Sequence, residues 1–188
     1  MANELTQEEV DKMMAMCAGS SEEEATAHAK RWAEKTPPFF KATEATEEEV
    51  TALADILKMK EEEARRYNQM GKELEEKDLY DNAVKWYFKA AEMGNADAQV
   101  NLGCFYHFGH AVPQDYAKAL EWFTKAAQKG DAGAQYLTAN ALYNNRGAPP
   151  TMTAEERKTH ALYWYKKSAE GGDEGAKAEL ARINGETP

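Results

Sequence analysis

Three stretches of this chain can be laid over one another without a gap. They are KWYFKAAEMGNADAQ from Lys85, EWFTKAAQKGDAGAQ from Glu121 and YWYKKSAEGGDEGAK from Tyr163. Trp86, Trp122 and Trp164 are equivalent at spacings of 36 and 42, and Gly94, Gly130 and Gly172 repeat at the same spacings, as do Ala98, Ala134 and Ala176. A period of this length with helical patterning builds stacked helical hairpins, because one hairpin cannot bury its apolar face alone.

The helical pattern inside each unit is explicit. Ala119, Trp122, Phe123, Ala126 and Ala127 follow i, i+3, i+4, i+7, i+8 spacing, and so do Ala83, Trp86, Tyr87, Ala90 and Ala91. Ala161, Trp164, Tyr165, Ser168 and Ala169 repeat the stripe with one polar exchange. Alanine lets a neighbouring helix approach and the aromatic fills the space beside it, so the tryptophans are expected in the core. The glycine after each stripe can take a left-handed conformation and stop the helix. Short connections then make neighbouring helices antiparallel. Thr153 and Glu156 predict a capping box after the loop Asn144–Met152, which adds six residues to the third unit.

From Ala98 to Gly130 the chain resembles a Sel-1-like repeat, a relative of the tetratricopeptide repeat. The residues that carry the resemblance are Leu102-Gly103, Tyr106, Gly109, Val112, Asp115, Lys118-Ala119, Trp122, Lys125-Ala126-Ala127 and Gly130. Ala111 departs from the family's second glycine. The preceding unit resembles the shorter tetratricopeptide form through Gly71, Leu74, Tyr80, Ala83, Tyr87 and Ala90. The third unit is looser. Its first helix, expected near Ala132 to Tyr143, lacks the glycine and tyrosine. Glu174–Ile183 reads as a capping helix. The expected fold is an all-α superhelix, a short solenoid of antiparallel helical hairpins. Its units are about 64–97, 98–133 and 134–173 within a repeat domain at 61–188.

Residues 1–60 lie outside the repeat pattern and read as an acidic helical N-terminal extension. Thr6 with Glu9, Ser20 with Glu23 and Thr46 with Glu49 are candidate capping boxes. Val50, Leu53, Ile56 and Leu57 form an apolar stripe on a helix that can run through Glu61–Glu63 into the first repeat. The extension is expected to cover the open end of the stack. Residues 1–63 hold 16 acids and 7 bases, whereas 64–188 hold 17 and 16, so nearly all of the net charge of −10 belongs to the first third. Acids in first helical turns oppose the helix dipole, which accounts for Glu22–Glu24 and Glu47–Glu49 as caps. The alternative is an acidic surface for a basic partner, as in an immunity or inhibitor protein.

The sequence offers little chemistry. It carries no phosphate-binding glycine loop, no nucleophile elbow, no HExxH and no paired-cysteine metal site. Cys17 and Cys104 are far apart and read as buried thiols. His107 and His110 could share a helix face, but a metal would need further ligands. No cofactor, metal or catalytic residue is assigned, and an enzyme centred on His107 and His110 is the remote alternative. A net charge of −10 disfavours nucleic acid. No run of apolar residues is long enough to span a membrane, and MANELTQEEV does not read as a secretory signal, so the expected location is cytoplasmic.

The resemblance implies a non-catalytic scaffold that binds a protein or peptide on the concave face, lined by the first helix of each pair. Tetratricopeptide geometry would put Asn68 and Lys72 there from the first unit, Asn101, Cys104, His107 and Phe108 from the second, and Leu137, Asn140, Tyr143 and Asn144 from the third. The long loop adds Arg146 as a candidate specificity residue. A clamp for a terminal carboxylate is not expected, because only Asn101 matches a clamp position. The end face of so short a stack could also support weak self-association.

Overall fold

A computed structural model describes residues 47–185, with side chains from residue 51 onward. The described residues form seven helices and no strand. They are α1 (Glu47–Glu75), α2 (Tyr80–Glu92), α3 (Ala96–Phe108), α4 (Tyr116–Gln128), α5 (Ala132–Tyr143), α6 (Ala154–Glu170) and α7 (Glu174–Asn184). Cα proximity divides the chain into two units, Met1–Glu62 and Glu63–Pro188. In the first, the described residues are the N-terminal part of α1, where Ile56 is 46% exposed and Met59 is 70% exposed. The capping boxes expected at Thr6, Ser20 and Thr46, and Cys17, lie outside the described residues.

The second unit is a stack in which each helix from α2 to α7 packs on the next. Its first pair uses the C-terminal part of α1 with α2, its second uses α3 with α4, and its third uses α5 with α6. Helix α7 lies on α6 as the cap. The same physical device starts the first helix of the second and third pairs and the cap. The side chains of Asn95, Asp131 and Asp173 accept from the N–H of Ala98, Ala134 and Ala176 at 2.8, 2.6 and 2.7 Å. Each satisfies a helix-end donor that would otherwise lack a partner. The residue before each cap is Gly94, Gly130 or Gly172, at φ 87°, 90° and 93°. That left-handed conformation suits glycine and turns the chain between helices, as the sequence predicts. Helix α6 begins with the expected capping box. Thr153 Oγ1 accepts from the Glu156 N–H, and Glu156 Oε2 accepts from the Thr153 N–H at 2.8 Å.

Alanine dominates the core. Ala83, Ala90, Ala98, Ala126, Ala134, Ala139, Ala161 and Ala176 are all fully buried. The aromatic positions correct the sequence reading. Trp86, Trp122 and Trp164 are only half-buried, whereas the residue after each, Tyr87, Phe123 and Tyr165, is buried. One helical step rotates a side chain by about 100°, so two adjacent aromatics cannot both point at the centre. Tyr87 and Phe123 take that place because Gly71 and Gly103 leave room on the facing helix. In the third pair fully buried Ala139 stands where the second has Gly103, and it packs in one cluster with Tyr165. The tryptophans move to the flank, where Lys125 Nζ lies 4.0 Å from the Trp122 ring centroid and Lys89 Nζ lies 4.6 Å from that of Trp86. Each ammonium stands over the face of its indole, a cation–π contact at the edge of the core.

Successive pairs are also pinned by buried glutamines. Gln99 Nε2 donates to the Ala91 carbonyl at 3.1 Å, and Gln135 Nε2 donates to that of Ala127 at 3.2 Å. The equivalent residue of α7, Lys177, is exposed and pairs with Glu174 at 2.7 Å. That exchange of a buried amide for a solvated charge is what a capping helix needs.

Candidate functional site

The first helices of the second and third pairs, α3 and α5, bound a hollow of about 130 Å³. Helix α3 contributes Cys104, His107 and Phe108, α5 contributes Leu137, Asn140 and Ala141, α4 contributes Phe123, and the loop after α5 contributes Arg146. Cys104, His107 and Phe108 share a face because they lie three and four residues apart on one helix. The same spacing aligns Leu137, Asn140 and Ala141. Phe108 is 62% exposed, so a largely open apolar ring borders the hollow.

The loop that carries Arg146 is built in. The Arg146 N–H donates to the Ala141 carbonyl at 2.8 Å. Gly147, at φ 81°, lies so close to α4 that a Cβ on it would stand 1.9 Å from the Tyr116 carbonyl oxygen. Met152 packs with the core cluster of α5 and α6, and Arg157 donates to its carbonyl at 3.1 Å. Those anchors bring the Arg146 guanidinium to 5.6 Å from the Tyr116 ring and its Nη1 to 3.2 Å from His107 Nε2.

A guanidinium only donates, so His107 Nε2 is the acceptor in this pair and the imidazole is neutral with its proton on Nδ1. Burial and the Arg146 charge push the His107 pKa below its usual value. The ring is held edge-on by Phe108 at 4.9 Å and Tyr116 at 5.1 Å. Burial, with a smaller contribution from Glu75, pushes the Cys104 thiol up, which keeps it protonated and a poor nucleophile near neutral pH. His110 follows the end of α3, is exposed, and stacks on Phe108 at 5.7 Å. Among the described residues no group of three His, Cys, Asp or Glu side chains is placed to hold a metal.

The structure brings together His107, Phe108, Asn140 and Arg146 from the sequence candidates, with Cys104 and Leu137 from the implied groove. Others stand elsewhere. Asn68 is only 5% exposed and accepts from Asn101 Nδ2 at 3.2 Å, so this pair joins α1 to α3. That corrects its expected place on an open surface: an amide buried between helices spends its hydrogen bonds on them. Lys72 is exposed one turn further along α1. Tyr143 is half-buried and belongs to the α5–α6–α7 cluster, 6.3 Å from Tyr165, with Arg182 5.8 Å from its ring. Asn144 is exposed and donates to the Asn140 carbonyl at 2.9 Å and to its side-chain oxygen. Sequence reasoning missed Phe123 as a lining residue, because its stripe position reads as core, and Ala141, which carries no chemical signal. The hollow presents a guanidinium, an amide, an imidazole and a thiol between apolar walls.

The family model for the Sel1 repeat matches residues 64–95, 96–131 and 132–173, more than half of the chain. The chain belongs to the Sel1 repeat family. Sel1 repeats are generally protein-interaction modules, and the family is typically non-enzymatic. Among solved structures, a Sel1 repeat protein from Oxalobacter formigenes is 31% identical, with 64% of this chain and 49% of that one covered and a TM-score of 0.56. A protective antigen of uropathogenic Escherichia coli strains, displaying an SLR fold, is 22% identical over 93% of this chain and 36% of that one, with a TM-score of 0.54. The chain therefore spans about half the length of the first structure and about a third of the second. A comparison with curated proteins gives no match. Both structural neighbours agree with the all-α repeat superhelix. No helix among the described residues is long and apolar enough to cross a membrane.

Proposed function

We propose that this Sel1 repeat protein is a non-catalytic binding module that seats a segment of another protein, or a peptide, on the face presented by α3 and α5. The observation that carries the reading is the hollow between those helices, with Phe108 exposed at its edge and Arg146 held over it by a fastened loop. Exposed aromatic and arginine side chains beside a pocket are the groups that dominate binding energy at protein interfaces. Asn140 supplies a hydrogen-bonding edge, while Asn101 and Lys72 extend the polar surface toward the first pair.

The test is capture of partners from the source cell by the full chain and by two sets of variants. Phe108→Ala and Arg146→Gln alter the hollow, and Tyr163→Ala alters an exposed residue of α6 that does not line it. The reading expects one partner to be lost with the first set and kept with the second. Retention of every captured protein by the first set overturns it.

The acidic N-terminal third supports a second reading, in which the chain neutralises a basic partner through residues 1–63, where the net charge is −9. Such binding would weaken steeply with salt and with Glu→Gln changes at Glu47, Glu48 and Glu49. A captured partner indifferent to both would remove that reading.

A further inference from the structure

A second hollow, of about 610 Å³, lies on the first helix pair and shares no lining residue with the one between α3 and α5. Leu74 of α1 and Asn82, Lys85, Trp86 and Lys89 of α2 line it. Lys89 Nζ stands 4.6 Å from the Trp86 ring and 5.6 Å from that of Tyr67, and the two rings are 5.3 Å apart. The wall is thus aromatic and aliphatic, with ammonium groups set along it.

The repeats show what is unusual here. Lys89, Lys125 and Lys167 occupy one repeat position, beside Trp86, Trp122 and Trp164. Lys125 is neutralised by Glu121 at 2.7 Å, and Lys167 by Glu170 at 3.2 Å. In the first pair the position of Glu121 is taken by Lys85, so the i, i+4 attraction becomes a repulsion between two cations. Asp81 and Glu92 are on the same helix, yet neither forms an ion pair with Lys85 or Lys89 among the described residues. Glu92 stands at the repeat position of Glu170 without lining the cleft, so a chain of net charge −10 carries here an aromatic cleft lined by two lysines and no acid.

We infer that the cleft lined by Leu74, Lys85, Trp86 and Lys89 is a docking site for an acidic peptide segment carrying an apolar side chain. Carboxylates of the segment would meet Lys85 and Lys89. The apolar group would lie between Leu74 and the Trp86 indole, and Asn82 offers an amide to the segment's backbone. Charge complementarity joined to an aromatic wall favours acidic and apolar residues together. Nucleic acid fits less well, because two lysines give no extended basic track along which a phosphate backbone could run.

The test pans a phage-displayed library of random linear peptides against the full-length protein, and measures selected peptides by fluorescence anisotropy. The expected result is enrichment of Asp and Glu next to an apolar residue, with binding that weakens as salt rises. The decisive variant is Lys85→Glu. It recreates the charge arrangement of Glu121 and Lys125, so its fold is supported by a pair that the second repeat already makes. It is expected to weaken the selected peptides about tenfold or more, a size usual for inverting a charge at a charged contact. Lys85→Gln, which introduces no repulsion, should give a smaller loss in the same direction. Pools that never enrich, enriched peptides without acids, or equal binding to Lys85→Glu each overturn the inference. So would tighter binding of a polyuridine oligonucleotide, or a dimer that Lys85→Glu dissociates, since the occupant would then be nucleic acid or a second copy.

Discussion

The ring of Phe123 fills the space that a side chain on Gly103 would need. A Cβ built at Gly103 would stand 2.5 Å from Phe123 Cε1, and one at Gly71 would stand 2.6 Å from Tyr87 Cε1. The first two pairs of helices are thus each closed by a ring laid against bare backbone. Gly103→Ala should destabilise the protein by roughly 1–3 kcal/mol, the range for overpacking a well-filled core. Urea denaturation checks it, and an unchanged midpoint would mean that the ring shifts freely.

The exchange of roles between tryptophan and its neighbour gives a second test. Phe123 is 2% exposed, whereas Trp122 is half-buried under Lys125. Phe123→Ala is expected to cost about 3–5 kcal/mol, the range for removing a buried ring. Trp122→Ala should cost clearly less. A larger loss from Trp122→Ala, measured in the same denaturation series, would contradict the packing.

The helix-start carboxylates make a third. Asp131 accepts from the Ala134 N–H at 2.6 Å, so Asp131→Ala should cost about 1 kcal/mol, as for the loss of an N-cap. Asp131→Asn, which keeps an acceptor, should restore most of it.

His107 gives a prediction in pH. Burial and Arg146 place its folded-state pKa below the unfolded one. The unfolded chain therefore binds more protons between those values, so stability is lost as pH falls from the ordinary imidazole range through the folded pKa. Arg146→Gln should raise the His107 pKa toward its usual value. An NMR titration of the ring protons reads this directly, and a fall would contradict the contact.

The capping box of α6 titrates in the carboxylate range. Its backbone and side-chain hydrogen bonds from Thr153 hold the Glu156 pKa below the usual value. The stabilisation is present above the unfolded pKa and is lost as pH falls through the folded one. Thr153→Ala keeps the backbone N–H contact and removes the side-chain one, so it should raise the Glu156 pKa part of the way back, as carboxyl NMR shifts would show.

Much of this architecture is legible in the letters. The register of Trp86, Trp122 and Trp164 gives the repeat, the expected span of α5 matches Ala132–Tyr143, and Thr153 with Glu156 marks the start of α6. Helix α1 does run through Glu61–Glu63 without a break. Periodicity stops being informative within one helical step. It cannot say which of two adjacent aromatics faces Gly103, and so it put the tryptophans in the core. It also cannot see across the stack. The Asn68–Asn101 bond joins residues 33 apart, and the His107–Arg146 contact joins residues 39 apart. Arg146 was readable only as part of a long loop. Its place over the hollow depends on Gly147 fitting against the Tyr116 backbone, which no local pattern encodes.

Contact of a partner with the α3–α5 face can be read in the cell. The most direct measurement places a photo-crosslinking benzoylphenylalanine at position 108 in one protein and at position 163 in another, and irradiates both in the source cell. Both side chains are exposed, at 62% and 53%, so accessibility alone does not separate them. A partner on this face gives a discrete protein adduct from position 108 that is absent from position 163 and lost with Arg146→Gln. An adduct formed from position 163 and not from 108 would contradict it.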